Sequence, residues 1–158
     1  MPTVRDSIHV AASLAESWAL YFDPGGWPSW VDGFARVETS EGYPERGGTL
    51  RWRSTPAGRG VVEERVLEHE PRTRHRVTFS DPESDGELLT TFGIEAGPGE
   101  EPGTRVGQEL TYRVREAGLL TPLTEILFIR PQMRRSLRRS LERFGAEAEG
   151  RSAEATPG

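Results

Sequence analysis

The chain has 158 residues, with 20 basic groups against 25 acidic ones, so it carries a net charge of −5 at neutral pH. That length makes one domain, large enough to bury a core without staples, and the acidic balance excludes a general nucleic-acid binder. With no Cys and no Lys, the sequence excludes a disulfide framework, a thiolate nucleophile, a Cys-based metal site, Schiff-base chemistry and a Walker-type phosphate loop.

No apolar run approaches the roughly 20 residues of a membrane helix. Met1 leads straight into a strand-like segment rather than a signal peptide, so the expectation is a cytoplasmic domain with no stable membrane insertion. Residues 3–10 alternate and predict a first strand, with Val4, Ile8 and Val10 on one face. Ser13 and Glu16 form a Ser-x-x-Glu capping box for a helix that turns Leu14, Trp18, Tyr21 and Phe22 inward. Asp23-Pro24-Gly25-Gly26 ends it, and a short second helical turn, Pro28 to Val31, carries Trp27 and Trp30.

From residue 35 the period changes to two. Strands are expected at 35–40, 48–54, 60–70, 74–80, 87–95 and 105–116, joined by turn-rich connectors without helices, which describes an antiparallel meander. The stretch from Gly97 to Gly103 has the glycines of a phosphate loop but lies between strands, so it reads as a hairpin tip. Residues 119–149 give a second long helical pattern, with Met133, Leu137, Leu141 and Phe144 as one apolar stripe and Arg134, Arg135, Arg138, Arg139 and Arg143 around the rest. The Arg face could meet an anionic membrane; it reads better as a solvated back face, with Glu142 pairing Arg138 at i, i+4. Pro131 predicts a kink or a fresh helix start. The domain is expected to span 1–147, with a disordered tail over 148–158.

Ile8-His9-Val10-Ala11-Ala12-Ser13, Glu16-Ser17-Trp18, Asp23-Pro24, Trp27-Pro28-Ser29-Trp30-Val31, Gly60-Val61-Val62 and Glu68-His69-Glu70-Pro71, taken with the terminal helix, resemble the START-related helix-grip superfamily (SRPBCC). That superfamily includes polyketide cyclase/dehydrase-like proteins and lipid-transfer domains. The resemblance covers roughly residues 3–147. It implies an α+β helix-grip fold: a curved antiparallel seven-stranded sheet wrapped around a long C-terminal helix, with two short helices after strand 1. It also implies an apolar cavity between sheet and helix.

Alternation assigns the concave face: Leu50 and Trp52; His75, Val77 and Phe79; Leu88, Thr90, Phe92 and Ile94; Val106, Gln108, Leu110, Tyr112 and Val114. The expected ligand-binding residues are Trp27, Trp30, Trp52, His75, Phe79, Thr90, Phe92, Gln108, Tyr112 and Met133. Trp27 and Trp30 suit either an aromatic lip or an anchor onto the sheet edge. His75 is the best single acid–base candidate, without an orienting carboxylate on its strand face. His69 and His75, with Glu68 or Glu70, match no metal-ligand spacing, so neither metal nor cofactor is expected. No Gly-x-Ser-x-Gly elbow is present. Glu63 and Glu64 face opposite sides of a strand and make no carboxylate dyad.

Three functions remain open from the sequence. The first is binding of a hydrophobic small molecule such as a lipid, quinone or polyketide-like compound. The second is a polyketide cyclase or dehydratase in which, by the resemblance, His75 and Tyr112 position and transfer protons. The third is a protein-interaction domain of the chaperone-activator kind. Fold alone does not choose among them.

Overall fold

The computed structural model describes residues 1–56, 58–97, 99, 102–115 and 129–155. Strand β1 (Thr3–Val10) leads into helix α1 (Leu14–Tyr21), a 3-10 turn (Pro24–Gly26) and the one-turn helix α2 (Trp27–Trp30). Six strands follow: β2 (Phe34–Glu41), β3 (Thr49–Ser54), β4 (Val61–Glu70), β5 (Arg74–Ser80), β6 (Ser84–Ala96) and β7 (Pro102–Val114). Helix α3 (Arg130–Ala155) closes the described chain. The seven strands form one antiparallel sheet in the order β1-β7-β6-β5-β4-β3-β2, so the first strand pairs with the last of the meander. This is the helix-grip α+β architecture that the sequence predicts.

Local chemistry explains the short elements. Ser13 Oγ accepts the Glu16 N–H at 3.1 Å, and Asp23 Oδ1 accepts the Gly25 N–H at 3.2 Å, satisfying donors that a helix start leaves open. The Trp27 indole N–H donates to the Tyr21 carbonyl at 2.7 Å and ties α2 back to the end of α1.

Sheet coiling comes from irregular positions. In β4 the pairing slips between Val66 and Glu68, so Val62, Glu64 and Val66 face inward, Leu67 and Glu68 both face out, and His69 returns to the concave side. Gly86 pairs with Tyr112 where β6 and β7 approach so closely that a Cβ would lie 2.0 Å from the Thr111 carbonyl oxygen. The outer face is a lattice of charge pairs, such as Arg5–Glu109, Arg51–Glu63 and Arg105–Glu95. Such exposed pairs keep the face solvated more than they stabilise it.

The concave face is buried, or half-buried at Leu88 and Val114, as alternation predicts, with one correction. Ile94 is 80% exposed. β5 ends its pairing at Thr91, so the β6–β7 hairpin runs on beyond its neighbour and Ile94 has no layer above it. In α1, Leu20 and Tyr21 make the buried contact while Trp18 is half-buried.

Leu137, Leu141 and Phe144 of α3 are buried as the stripe requires. The Arg side is more than a solvated face: Arg139 and Arg143 reach Asp32 at 3.1 and 3.4 Å, and Arg138 reaches Asp6 and Glu142 at 3.0 and 2.9 Å. The helix also continues past residue 147 to Ala155. Gly145 brings it against Ile8, Ala148 is buried, and Arg151 bonds Glu147 and reaches Asp23, so the last turns have contacts that a polar composition does not reveal. The expected helical residues 119–128 lie outside the described residues.

Candidate functional site

Between the concave face, α2 and α3 lies a cavity of about 180 Å³. One water needs about 10–15 Å³, and a benzene-sized cavity is about 150 Å³, so the space suits one or two rings. Trp27, Trp30, Phe34, Trp52, Tyr21 and Tyr43 supply its aromatic wall, with Phe79, Val62, Leu88 and Leu110 as the floor. The half-buried residues Val31, Asp32, Met133, Ser136 and Ser140 form its rim.

Two short connections hold that rim together. The Asp32 N–H donates to Ser140 Oγ at 2.8 Å, and Ser136 Oγ donates to Asp32 Oδ2 at 2.7 Å. With the two Arg pairs already described, the α2–β2 turn is fastened across the mouth to α3.

Of the ten expected ligand-binding residues, Trp27, Trp30, Trp52, Phe79, Gln108 and Met133 line this cavity. Trp27 and Trp30 are both buried and form part of the cavity wall. The other four lie elsewhere. Thr90 Oγ1 is bonded to the Tyr21 hydroxyl at 2.8 Å, and Gln108 Nε2 donates to the same hydroxyl at 3.1 Å. Phe92 packs edge-on to Trp18 and Tyr21 beneath α1. Tyr112 is fully buried opposite Gly86.

His75 sits beside His69, Nδ1 to Nδ1 at 3.0 Å, edge-on to Phe22 and Tyr43. Burial, and the neighbouring His69, push its pKa down to about 3, so at neutral pH it is an uncharged ring and a weak base. His75 pairs across to Thr90, whereas Phe79, four residues further along β5, pairs with the Gly86 that faces Tyr112. Four strand residues span about 13 Å. The structure does not bring His75 and Tyr112 together.

The residue that sequence reasoning passed over is Glu64. It projects from β4 between Val62 and Val66, lines the cavity, and accepts the Trp52 indole N–H at 3.0 Å. Burial pushes its pKa up to about 7, opposed by that hydrogen bond and by the charge of Arg59. The alternation of β4 turns it inward beside Val62, on the side opposite Glu63. Tyr43 and Arg59 come from turns, where no periodicity reports direction; burial raises the Tyr43 phenol well above its ordinary value.

A raised carboxylic pKa means that the folded state holds the proton more tightly than the unfolded chain. The associated stability is therefore present at low pH and lost as pH rises towards 7. Relative to Glu64→Gln, the wild-type protein is expected to lose up to about 3 kcal/mol between pH 4.5 and 7, at 1.36 kcal/mol per unit. Urea unfolding of both proteins across that range checks it. A difference that stays flat or moves the other way contradicts the burial of Glu64.

A family model described as polyketide cyclase / dehydrase and lipid transport matches residues 1–149. No curated protein matches. Among solved structures, a protein of Thermus thermophilus is similar at 22% identity, TM-score 0.68, over 96% of this chain and 99% of that one. The Zhui aromatase/cyclase of a Streptomyces species is similar at 20% identity, TM-score 0.68, over 95% and 94%. A START superfamily protein of Mycobacterium smegmatis is similar at 16% identity, TM-score 0.60, over 98% and 99%. At these identities the solved structures share the fold.

Proposed function

The chain belongs to the polyketide cyclase/dehydrase and lipid transport family, and from that premise we propose that it binds a small hydrophobic molecule between its sheet and its C-terminal helix. The single observation that carries this reading is the cavity itself, about 180 Å³ with a wall of aromatic side chains. A solid core would leave no such space, since interiors normally pack to crystal density. Its polar groups are few and already oriented, as in a site that fixes a mostly apolar ligand with a small number of hydrogen bonds. No described helix is long and apolar enough to cross a membrane.

The enzymatic reading rests on other residues than the sequence offered. His75 and Tyr112 stand apart from each other and from the cavity lining, whereas Glu64 faces the cavity with a pKa near the operating pH, as an acid–base group requires. A polyketide cyclase or dehydratase would therefore work through Glu64.

Titration with 2-naphthol, followed by quenching of tryptophan fluorescence, tests the binding reading. Saturable quenching is expected in the wild-type protein. Leu88→Trp, which fills the floor, is expected to weaken it at least tenfold while circular dichroism and thermal unfolding show an intact fold. Equal binding by both proteins overturns the cavity as the site.

A further inference from the structure

One charged group of the cavity has no ion-pair partner among the described residues. Among the described residues three charged side chains line the cavity: Asp32, Arg59 and Glu64. Asp32 is paired with Arg139 and Arg143 of α3 and takes the Ser136 hydroxyl. Arg59, from the β3–β4 connection, is paired with Asp81 through Nε at 2.6 Å, and its guanidinium lies 4.8 Å over the Phe79 ring. Among the described residues Glu64 makes no ion pair: its hydrogen-bond donor is the Trp52 indole, and Arg59, held by Asp81, acts on it only through its field. Among the described residues, the other titratable groups facing it are the phenols of Tyr21 from α1 and Tyr43 from the β2–β3 connection, uncharged at neutral pH and pushed further up by burial, Tyr21 to about 12.

Much of what surrounds this carboxylate is aromatic. Trp27, Trp30, Phe34, Trp52, Tyr21 and Tyr43 present π faces or edges to the same space, with no Lys or unpaired Arg among the described lining residues. Aromatic faces attract cations electrostatically, most strongly where water is excluded. A carboxylate drawn out of water is costly alone and much less so beside an opposite charge.

From this geometry we infer that the cavity selects a small cationic ligand, a protonated or quaternary amine carried on an apolar body of one or two rings, with Glu64 as its counter-ion and the tryptophans as its walls. The inference rests on the cavity being a ligand site and goes further by giving the class of ligand. A neutral guest of the same shape would need Glu64 protonated, so the two classes respond to pH with opposite sign.

Calorimetric titration with phenethylamine and its neutral isostere 2-phenylethanol, at pH 5.5 and 7.5, tests it. The amine stays protonated across this range while Glu64 ionises, so amine binding is expected to tighten at least tenfold on going to pH 7.5. Binding of the alcohol is expected to weaken roughly fourfold over the same interval. Glu64→Gln is expected to abolish the preference for the amine and the pH dependence of both, while the alcohol still binds. If the alcohol binds as tightly as the amine at pH 7.5 and Glu64→Gln changes neither, the cationic class is overturned and the cavity reading stands. If neither compound binds while Leu88→Trp also leaves 2-naphthol binding unchanged, the cavity reading falls and the inference with it.

Discussion

Asp81→Ala is expected to lower the stability of the protein by about 3 kcal/mol. Asp81 is 5% exposed at the β5–β6 turn, and one carboxylate organises the whole corner. Its Oδ1 accepts the N–H groups of Glu83 and Ser84 at 2.9 and 2.7 Å, the Ser84 hydroxyl donates to both oxygens, and Oδ2 takes Arg59. Alanine strands the buried Ser84 N–H, at a cost of about 1–3 kcal/mol, and removes the partner of the Glu83 N–H, which is exposed enough to turn to water. It also leaves the Arg59 guanidinium, about one third exposed, without its counter-charge; the full penalty of a buried broken pair is discounted accordingly. Asp81→Asn keeps an oxygen acceptor for the turn but loses the charge, so an intermediate loss is expected. Urea unfolding of the two variants separates the contributions. A loss below about 1 kcal/mol in Asp81→Ala would mean that the corner does not depend on this carboxylate.

The substitution has a consequence inside the cavity as well. Arg59 released from Asp81 is the nearest cation available to Glu64, and pairing with it would lower the carboxyl pKa. Asp81→Ala is therefore expected to flatten the stability difference that Glu64 imposes between pH 4.5 and 7.

Phe144→Ala is the second large effect, with an expected loss of about 3–5 kcal/mol, the range for a fully buried aromatic truncated to alanine. Phe144 is 1% exposed and sits edge-on between Tyr21 at 5.9 Å and Trp30 at 5.0 Å. It is the point where α3 touches both short helices, so removing it loosens the cavity wall on the Trp30 side. For a domain of this length the loss corresponds to roughly 10 °C in Tm. Phe144→Leu is expected to recover most of it. A small effect of Phe144→Ala would place the grip of α3 elsewhere on its stripe.

How far the fold was legible follows from which forces leave a periodic trace. Period-two alternation gave the strands and the concave face of β3, β5 and β7, because one buried side imposes one pattern. The slip at Leu67 in β4 interrupts that pattern, yet Val62, Glu64 and Val66 precede it and kept their phase. Ile94 obeys the alternation of β6 but extends past its covering layer, and coverage is a tertiary fact. The end of α3 failed differently: its small and polar composition gave no hint that Gly145 is spacing against Ile8 or that Arg151 reaches Asp23.

The site was legible by half for the same reason. Residues whose direction follows from a strand or helix face, such as Trp52, Phe79, Gln108 and Met133, line the cavity. His75 and Thr90 also point inward, but another layer, α1 with Phe22 and Tyr21, occupies the space above them. Which part of a concave face stays open depends on what packs over it. Arg59 and Tyr43 enter from turns, so only the folded chain reveals them.

The tryptophans provide the most direct measurement of the central claim. The sequence has four, and three of them, Trp27, Trp30 and Trp52, line the cavity, while Trp18 packs outside it against Phe22, His69 and Phe92. Their indole N–H signals can be followed by nitrogen-15 NMR, each assigned by single substitution to Phe, during titration with 2-naphthol. The signals of Trp27, Trp30 and Trp52 are expected to shift together along one binding curve while that of Trp18 stays in place. Saturable binding that moves Trp18 alone, or moves none of the four, would contradict it.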